Sequence, residues 1–102
     1  MAHDNRLLAS LPPDERLRLA SRFENVTLPK GKLLYEAGDA VQHAYFPTDG
    51  LLSLLVITPN GEALEVAMVG SEGFIGLPIL LHSDTTSFRI VAQLSTPALR
   101  IR

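Results

Sequence analysis

The residues best suited to chemistry in this 102-residue sequence lie around Gly70, Gly73 and Gly76, three glycines spaced three positions apart. Glycine at this density marks a backbone that bends sharply or lies close to another group. Backbone N–H groups at such a turn can bind an anion, often a phosphate. The same spacing is typical of a tight turn between strands, and spacing by itself favours that interpretation. The stretch therefore predicts either an anion-binding loop or a structural turn.

No other group of residues has the pattern of a catalytic or metal site. The Gly-x-Ser-x-Gly elbow of many hydrolases is missing, and residues 70–73 (Gly-Ser-Glu-Gly) have the wrong spacing for it. Carboxylates that could serve acid–base chemistry fall on a predicted hairpin and a turn, where they fit solubility better. The three histidines show no metal-ligand spacing, and there is no cysteine. We therefore expect no enzyme activity, no catalytic residues, no metal and no cofactor.

Composition predicts one globular domain. Hydrophobic residues make up 46% of the chain and charged residues 20%, and the net charge is −2. This charge gives no electrostatic basis for binding nucleic acid. No apolar run is long enough for a membrane span, and no signal-peptide pattern is present. We expect a cytoplasmic protein that does not associate with membranes.

The pattern of glycines and apolar residues predicts a mainly β fold behind an N-terminal helix. Residues 1–5 are expected to fray, and Pro12-Pro13-Asp14-Glu15 is a typical helix start. Glycines then divide short apolar segments at intervals typical of a sandwich or barrel. Asn60-Gly61 between two such segments predicts a hairpin turn. We divide the chain into a helical segment, residues 1–24, and a β-roll domain, residues 25–102.

Alternation of side chains predicts which faces are buried. Leu17, Ala20 and Phe23 are expected on the inner face of the helix, with Leu19 beside it. On one strand, Leu64, Val66 and Met68 are expected to share a face. On the strand predicted over residues 86–94, the even-numbered Phe88, Ile90, Ala92 and Leu94 share one face, opposite Ser87, Arg89, Val91 and Gln93.

Several of these stretches together resemble a known family. Residues 73–76 (Gly-Phe-Ile-Gly), an apolar turn and loop, and residues 88–92 (Phe-Arg-Ile-Val-Ala) look like the phosphate-binding cassette of a cyclic nucleotide-binding domain. Residues 33–39 and 45–50 also fit the pattern of that family. The chain is most similar to the sensor domains of Crp/Fnr-type bacterial transcription regulators. This resemblance implies a jelly-roll, or double-stranded β-helix, topology for the β domain.

The cassette departs from the pattern that binds cyclic nucleotides. In the resembled family, a glutamate accepts from the ribose hydroxyl and an arginine pairs with the cyclic phosphate. An ungapped alignment places Leu77 at the glutamate, Ser87 at the arginine and Phe88 at the following Ser/Thr, while Pro78 lacks an N–H. Arg89 either turns toward an anion or is an outward charge on a strand. The candidate ligand-binding residues are Gly76, Leu77, Ile79, Leu80, Ser87, Phe88 and Arg89.

The resemblance implies a regulatory function. We expect a sensor domain that binds a small effector other than cAMP and passes a shape change to a helix beyond Arg102. The alternative is a β-roll that serves protein contacts without a small ligand. The DNA-reading domain of the family is not within these residues, so no direct DNA binding by this chain alone is expected. A homodimer is expected in a longer form. Without cysteine, the iron–sulfur sensing of some family members is excluded.

Overall fold

The computed structural model describes residues 5–76, 86 and 88–102. In these residues two short helices precede seven antiparallel strands, and this mainly β architecture confirms the predicted fold class. In chain order the elements are α1 (Arg6–Ala9), α2 (Pro13–Ala20), β1 (Glu24–Leu28), β2 (Leu33–Tyr35), β3 (Ala44–Pro47), β4 (Leu52–Ile57), β5 (Ala63–Val69), β6 (Arg89–Ala92) and β7 (Thr96–Ile101).

The strands form two sheets that share one core. The three-stranded sheet has the order β1-β7-β3, and the four-stranded sheet has the order β2-β6-β4-β5. Leu28 and Tyr45 come from the first sheet, while Leu52, Ile90 and Ala92 come from the second, and all five are buried in one cluster. Burying a leucine of this kind contributes about 1.5–3 kcal/mol. The core between the sheets therefore holds the roll together.

The hairpin predicted at Asn60-Gly61 is present between β4 and β5. Gly61 has a φ of 85°, which the absence of a Cβ permits. The loop closes through a 2.8 Å hydrogen bond from the Thr58 amide nitrogen to the Glu62 carbonyl oxygen. The Gly61 amide also donates to the Thr58 carbonyl oxygen over 2.9 Å. A local turn signal of this kind needs no distant contact, which explains why the sequence predicts it well.

The prediction that Leu64, Val66 and Met68 share a face is wrong, because the same hairpin contains a β-bulge. Leu54 pairs with Ala67 but Leu55 pairs with Glu65, so Val66 is left without a partner across the pair of strands. Leu64 consequently lies opposite Val56, on the same face as the buried Leu52, while Met68 lies opposite Ser53 on the other face. The extra residue shifts the alternation of side chains by one position, so the residues before and after the bulge follow opposite patterns.

The strand predicted over residues 86–94 is shorter than expected. β6 covers only Arg89–Ala92, with Ile90 and Ala92 buried and Phe88 packed against the core as the alternation predicts. Leu94 is 51% exposed because the chain has already left the sheet. The prediction of the inward face is therefore correct for Phe88, Ile90 and Ala92 and wrong only for Leu94.

Helix α2 begins at Pro13, as predicted, with Asp14 and Glu15 in its first turn. The predicted inner face of this helix is wrong at Leu17, which is 78% exposed. Leu17 and Leu19 are separated by about 200° around a helix, so only one of them can face the sheet. Leu19 takes that place. Neither helix in the described part of the chain is long or apolar enough to cross a bilayer.

The prediction that residues 1–5 fray is wrong at Asn5, which is only 1% exposed. Its Oδ1 accepts from the amides of Leu7 and Leu8, which caps α1. Its Nδ2 donates to the carbonyl oxygens of Pro47, over 2.8 Å, and Gly73, over 2.7 Å. Asn5 thus ties the first helix to the end of β3 and to the glycine turn.

Candidate ligand-binding site

The structure describes the two ends of the predicted cassette. Gly76 lies at its beginning, and Phe88 and Arg89 lie at its end. The predicted site residues Leu77, Ile79, Leu80 and Ser87, together with Pro78, lie outside the described residues. The described part of the site consists of these flanks and of the elements that hold them.

The beginning of the cassette is anchored on β3. The amide of Tyr45 donates to the Ile75 carbonyl oxygen over 2.7 Å, and the amide of Ile75 donates back to the Tyr45 carbonyl oxygen over 2.8 Å. Gly76 follows with a φ of 135°. A Cβ at Gly76 would lie 2.7 Å from the Cβ of Ala44, so no other residue fits without a shift of the backbone.

The first two glycines of the stretch form a turn that satisfies its own donors. The amide of Gly70 donates to Oε1 of Glu72 over 3.1 Å, and the amide of Gly73 donates to the Gly70 carbonyl oxygen over 3.2 Å. The bond from Gly70 lowers the pKa of the Glu72 carboxyl. These two N–H groups are therefore occupied within the protein, which favours the structural-turn interpretation over an anion cradle at this point.

The end of the cassette is anchored on the turn after β2. The amide of Gly38 donates to the carbonyl oxygen of buried Thr86 over 2.8 Å, and the amide of Thr86 donates to the Asp39 carbonyl oxygen over 3.1 Å. The Thr86 hydroxyl accepts from the Phe88 amide over 3.2 Å. The turn is itself fixed, because the Glu36 amide donates to the Asp39 carboxylate. The stretch over residues 33–39 thus has a structural role at the cassette.

Arg89 is paired with Glu36. Its Nε donates to Oε1 over 2.9 Å and to Oε2 over 3.1 Å. This hydrogen bond lowers the pKa of the Glu36 carboxyl and raises the pKa of Arg89. Arg89 lies opposite Leu55, on the face away from buried Ile90. These contacts support the interpretation of Arg89 as an outward charge on a strand.

The sequence did not indicate Glu36 as the partner of Arg89. Fifty-three positions separate the two residues, and no local pattern joins them. The local signal in the sequence is the Glu-x-x-Asp turn of residues 36–39. Both of its carboxylates accept hydrogen bonds from backbone amides of the turn. The same turn holds Thr86, so one short segment positions both the end of the cassette and Arg89.

Apolar side chains line the inner face of the roll beside the cassette. Leu54 and Phe88 pack against the core, and Val56 continues the inner face of β4. Leu64 lies opposite Val56 and is 58% exposed. Among the described residues, no group of three histidine or carboxylate side chains could hold a metal ion. This surface suits an apolar or uncharged group better than a phosphate.

Comparisons with known proteins agree with this architecture. The profile of the family described as the cyclic nucleotide-binding domain matches residues 25–102. No curated protein is significantly similar to the sequence. Solved structures, in contrast, give many significant matches.

Three of these structures are similar in both fold and sequence. The N-terminal domain of a transcriptional regulator from Streptomyces coelicolor A3(2) is 27% identical, with a TM-score of 0.82, and the match covers 95% of this chain and 69% of that one. A cyclic nucleotide-binding-like protein from Brucella abortus is 26% identical, with a TM-score of 0.77 and coverages of 93% and 81%. The catabolite activator protein of Thermus thermophilus is 27% identical, with a TM-score of 0.80 and coverages of 93% and 45%.

Proposed function

Because the chain belongs to the cyclic nucleotide-binding domain family, we propose that it is the sensor domain of a cytoplasmic, Crp/Fnr-like bacterial transcription regulator and that its roll binds a small effector other than cAMP. The family is one of regulatory binding domains rather than of enzymes. The similarity to the Streptomyces regulator domain and to the Thermus activator supports the regulatory role. This chain spans 45% of the length of the Thermus protein, so the activity of a whole regulator is part of the proposal.

The observation that carries the proposal is the pairing of Arg89 with Glu36. A cyclic phosphate brings a negative charge into a partly closed pocket, where an unpaired charge is costly. Arg89 is the arginine of the cassette, and its Nε is already bonded to a carboxylate. An anion beside Arg89 would meet a guanidinium whose charge Glu36 already balances in part. The amides of Gly70 and Gly73 are also occupied.

The sequence of the cassette supports the same conclusion. Leu77 stands where the resembled family has the glutamate that accepts from the ribose hydroxyl, and Ser87 stands at its arginine. Losing a hydrogen bond to a charged group costs about 1.5–3 kcal/mol. Two such losses weaken binding on the order of a hundredfold or more. The apolar surface around Phe88 and Leu54 favours an effector without a phosphate.

The connections of β3 offer a route for the signal. The start of the cassette is linked to β3, because Ile75 is bonded to Tyr45 in both directions. Tyr45 lies opposite Arg100 in β7, and β7 leads to the end of this chain at Arg102. A shift at the start of the cassette would therefore reach β7 and its last residues through a single pair of strands.

A thermal-shift titration with millimolar cAMP and cGMP tests the proposal. A ligand at a hundred times its dissociation constant adds about 2.7 kcal/mol of stability, which raises the melting temperature of a domain of this size by several degrees. We expect no saturable shift in the wild type. Arg18→Ala, which removes an exposed arginine that is paired with Glu15, serves as the control for charge. A saturable shift that Arg89→Ala abolishes and Arg18→Ala retains would contradict the proposal and make Arg89 a phosphate ligand.

A further inference from the structure

An apolar groove lies outside the interior of the roll, between the two helices and the outer face of the three-stranded sheet. Its volume is about 390 Å³, within the range of small-molecule sites. A second cavity of about 150 Å³ adjoins it and shares Leu8, Leu11, Leu19 and Phe23 with it. The other apolar residues that line the groove are Leu7, Ala44, Phe46, Phe74 and Ile101.

The floor of the groove is the face of the sheet that points away from the core. Phe46 lies opposite Leu99, and both alternate with the buried neighbours Tyr45 and Ala98. Three phenyl rings form one wall. Phe46 and Phe74 are stacked, with ring centroids 5.2 Å apart, and Phe23 meets Phe46 edge-on at 5.7 Å. Such a wall offers a large and preformed apolar contact area.

Polar contacts, rather than close packing, hold the roof of the groove in place. Asn5 is bonded to Pro47 and Gly73, and the Arg6 amide donates to the Ser71 carbonyl oxygen over 2.6 Å. Neither helix contains a buried residue. Leu19 is only half-buried even though it faces the sheet. The helices are therefore attached above a space that their own side chains do not fill.

The charge at the rim of the groove is positive. Arg102 lines the groove, Arg16 lines the adjoining cavity, and no carboxylate side chain from the described part of the chain lines either. Burial lowers the pKa of nearby His43, and the charges of Arg100 and Arg102 lower it further. An anionic head group at this rim would meet an arginine while its apolar part stays on the phenyl rings.

We propose that this groove binds an apolar carboxylic acid, with its hydrocarbon part against Phe23, Phe46 and Phe74 and its carboxylate at Arg102. This site goes beyond the proposed sensor function and does not depend on it, because it lies on the opposite face of the three-stranded sheet from the core. Phe74 and Gly76 line the groove and also begin the cassette. An occupant would therefore contact the first residues of the cassette directly.

Calorimetric titration with decanoate, below the concentration at which it forms micelles, tests the assignment. The variants are Leu19→Trp, which fills the groove, and Leu17→Trp, a control on the exposed side of the same helix. We expect saturable binding by the wild type and by Leu17→Trp, and none by Leu19→Trp. Arg102→Gln should weaken decanoate about tenfold or more, and decanol should bind the wild type more weakly by a similar factor.

Several results would overturn the assignment. These are the absence of saturable binding to the wild type, equal binding by Leu19→Trp, or equal affinity for decanoate and decanol. A stable dimer of the wild type that becomes a monomer in Leu19→Trp would instead make a second copy the occupant. Leu8→Trp fills the groove from α1 and replaces Leu19→Trp if circular dichroism shows that the latter has not folded. A shift with cAMP tests the roll interior separately, so the two proposals fail independently.

Discussion

The interior of the roll and the N-terminal helical layer are stabilised in different ways. In the interior, Leu52, Ile90 and Ala92 are 0%, 3% and 1% exposed, and side chains from both sheets fill the space between them. In the helical layer no helical residue is buried, and the helices cover a groove of about 390 Å³. The same strands, β3 and β7, form a packed surface on one face and an incompletely covered surface on the other.

This difference indicates which part of the molecule can move. Packed interiors respond as a unit, since opening one contact exposes many others. A layer with few buried apolar contacts opens at a lower free energy than the global unfolding of the domain. Asn5 is the main side-chain link between the layers, and one of its bonds goes to Gly73 in the turn that leads to the cassette. We therefore expect mutations in the two regions to differ in how much they lower stability and in how far their effects extend through the domain.

The largest effect is expected from Leu52→Ala. This side chain is fully buried at the centre of the four-stranded sheet, so its truncation removes contacts and leaves a cavity. The free energy of unfolding should fall by about 2–5 kcal/mol in denaturant titrations. Leu17→Ala, at a site 78% exposed, is the matched control and should change stability by no more than about 0.5 kcal/mol. Similar losses in the two variants would contradict the contrast between the regions.

Asn5→Ala should have the next largest effect. It removes the cap of α1 and leaves the Pro47 and Gly73 carbonyl oxygens without their donor, which costs about 1–3 kcal/mol in denaturant titrations. Asn5→Asp separates the two roles, because aspartate keeps the capping oxygen but cannot donate. Asn5→Asp should therefore be destabilised as well. If it were as stable as the wild type, capping alone would explain Asn5 and the link to the turn would be unnecessary.

Glu36→Gln should have the smallest effect, and that effect should depend on pH. The hydrogen bond from Arg89 lowers the pKa of Glu36 below its ordinary value of 4.5. The stabilisation is therefore complete above about pH 4.5 and is lost as the pH falls through the lower pKa of the folded state. It is small because the two side chains are 36% and 39% exposed and solvent screens the pair.

Melting curves at several pH values measure this effect. The wild type should melt above Glu36→Gln at neutral pH, and the gap should close as the solution becomes more acidic than pH 4.5. Other titrating groups, such as Glu72, are present in both proteins and do not change the comparison. A gap that widens in acid would show that the pair does not stabilise the folded state.

Features of the fold that depend on neighbours in sequence could be predicted. Pro13 begins a helix because its fixed φ and missing N–H suit the first turn, and Asn60-Gly61 makes a hairpin because it tolerates the turn geometry. The inward face of β6, with Ile90 and Ala92, followed from simple alternation. These signals require only the residues themselves and the period of a helix or strand.

Features that depend on distant contacts could not be predicted. Asn5 is buried because Pro47 and Gly73 accept its hydrogen bonds, and these residues lie 42 and 68 positions later in the sequence. The bulge at Val66 reflects the register between two strands, and a simple alternation cannot reveal an extra residue. Arg89 was recognised as a cation of the cassette, but its partner Glu36 lies 53 positions earlier in the sequence, in the turn after β2. The cassette was recognised by its resemblance to a family. Its chemistry depends on pairings between residues that are distant in sequence, such as Arg89 with Glu36.

Hydrogen exchange in the native state of Asn5→Ala tests most directly the claim that a separate helical layer is joined to the cassette through this residue. We expect the amides of α1 and of residues 71–76 to lose protection by about tenfold or more relative to the wild type. The amides of β4 and β6, around Leu52 and Ile90, should keep their protection relative to global unfolding. Equal loss throughout the domain would show that the layers unfold as one unit, and unchanged protection at residues 71–76 would show that Asn5 does not hold the turn.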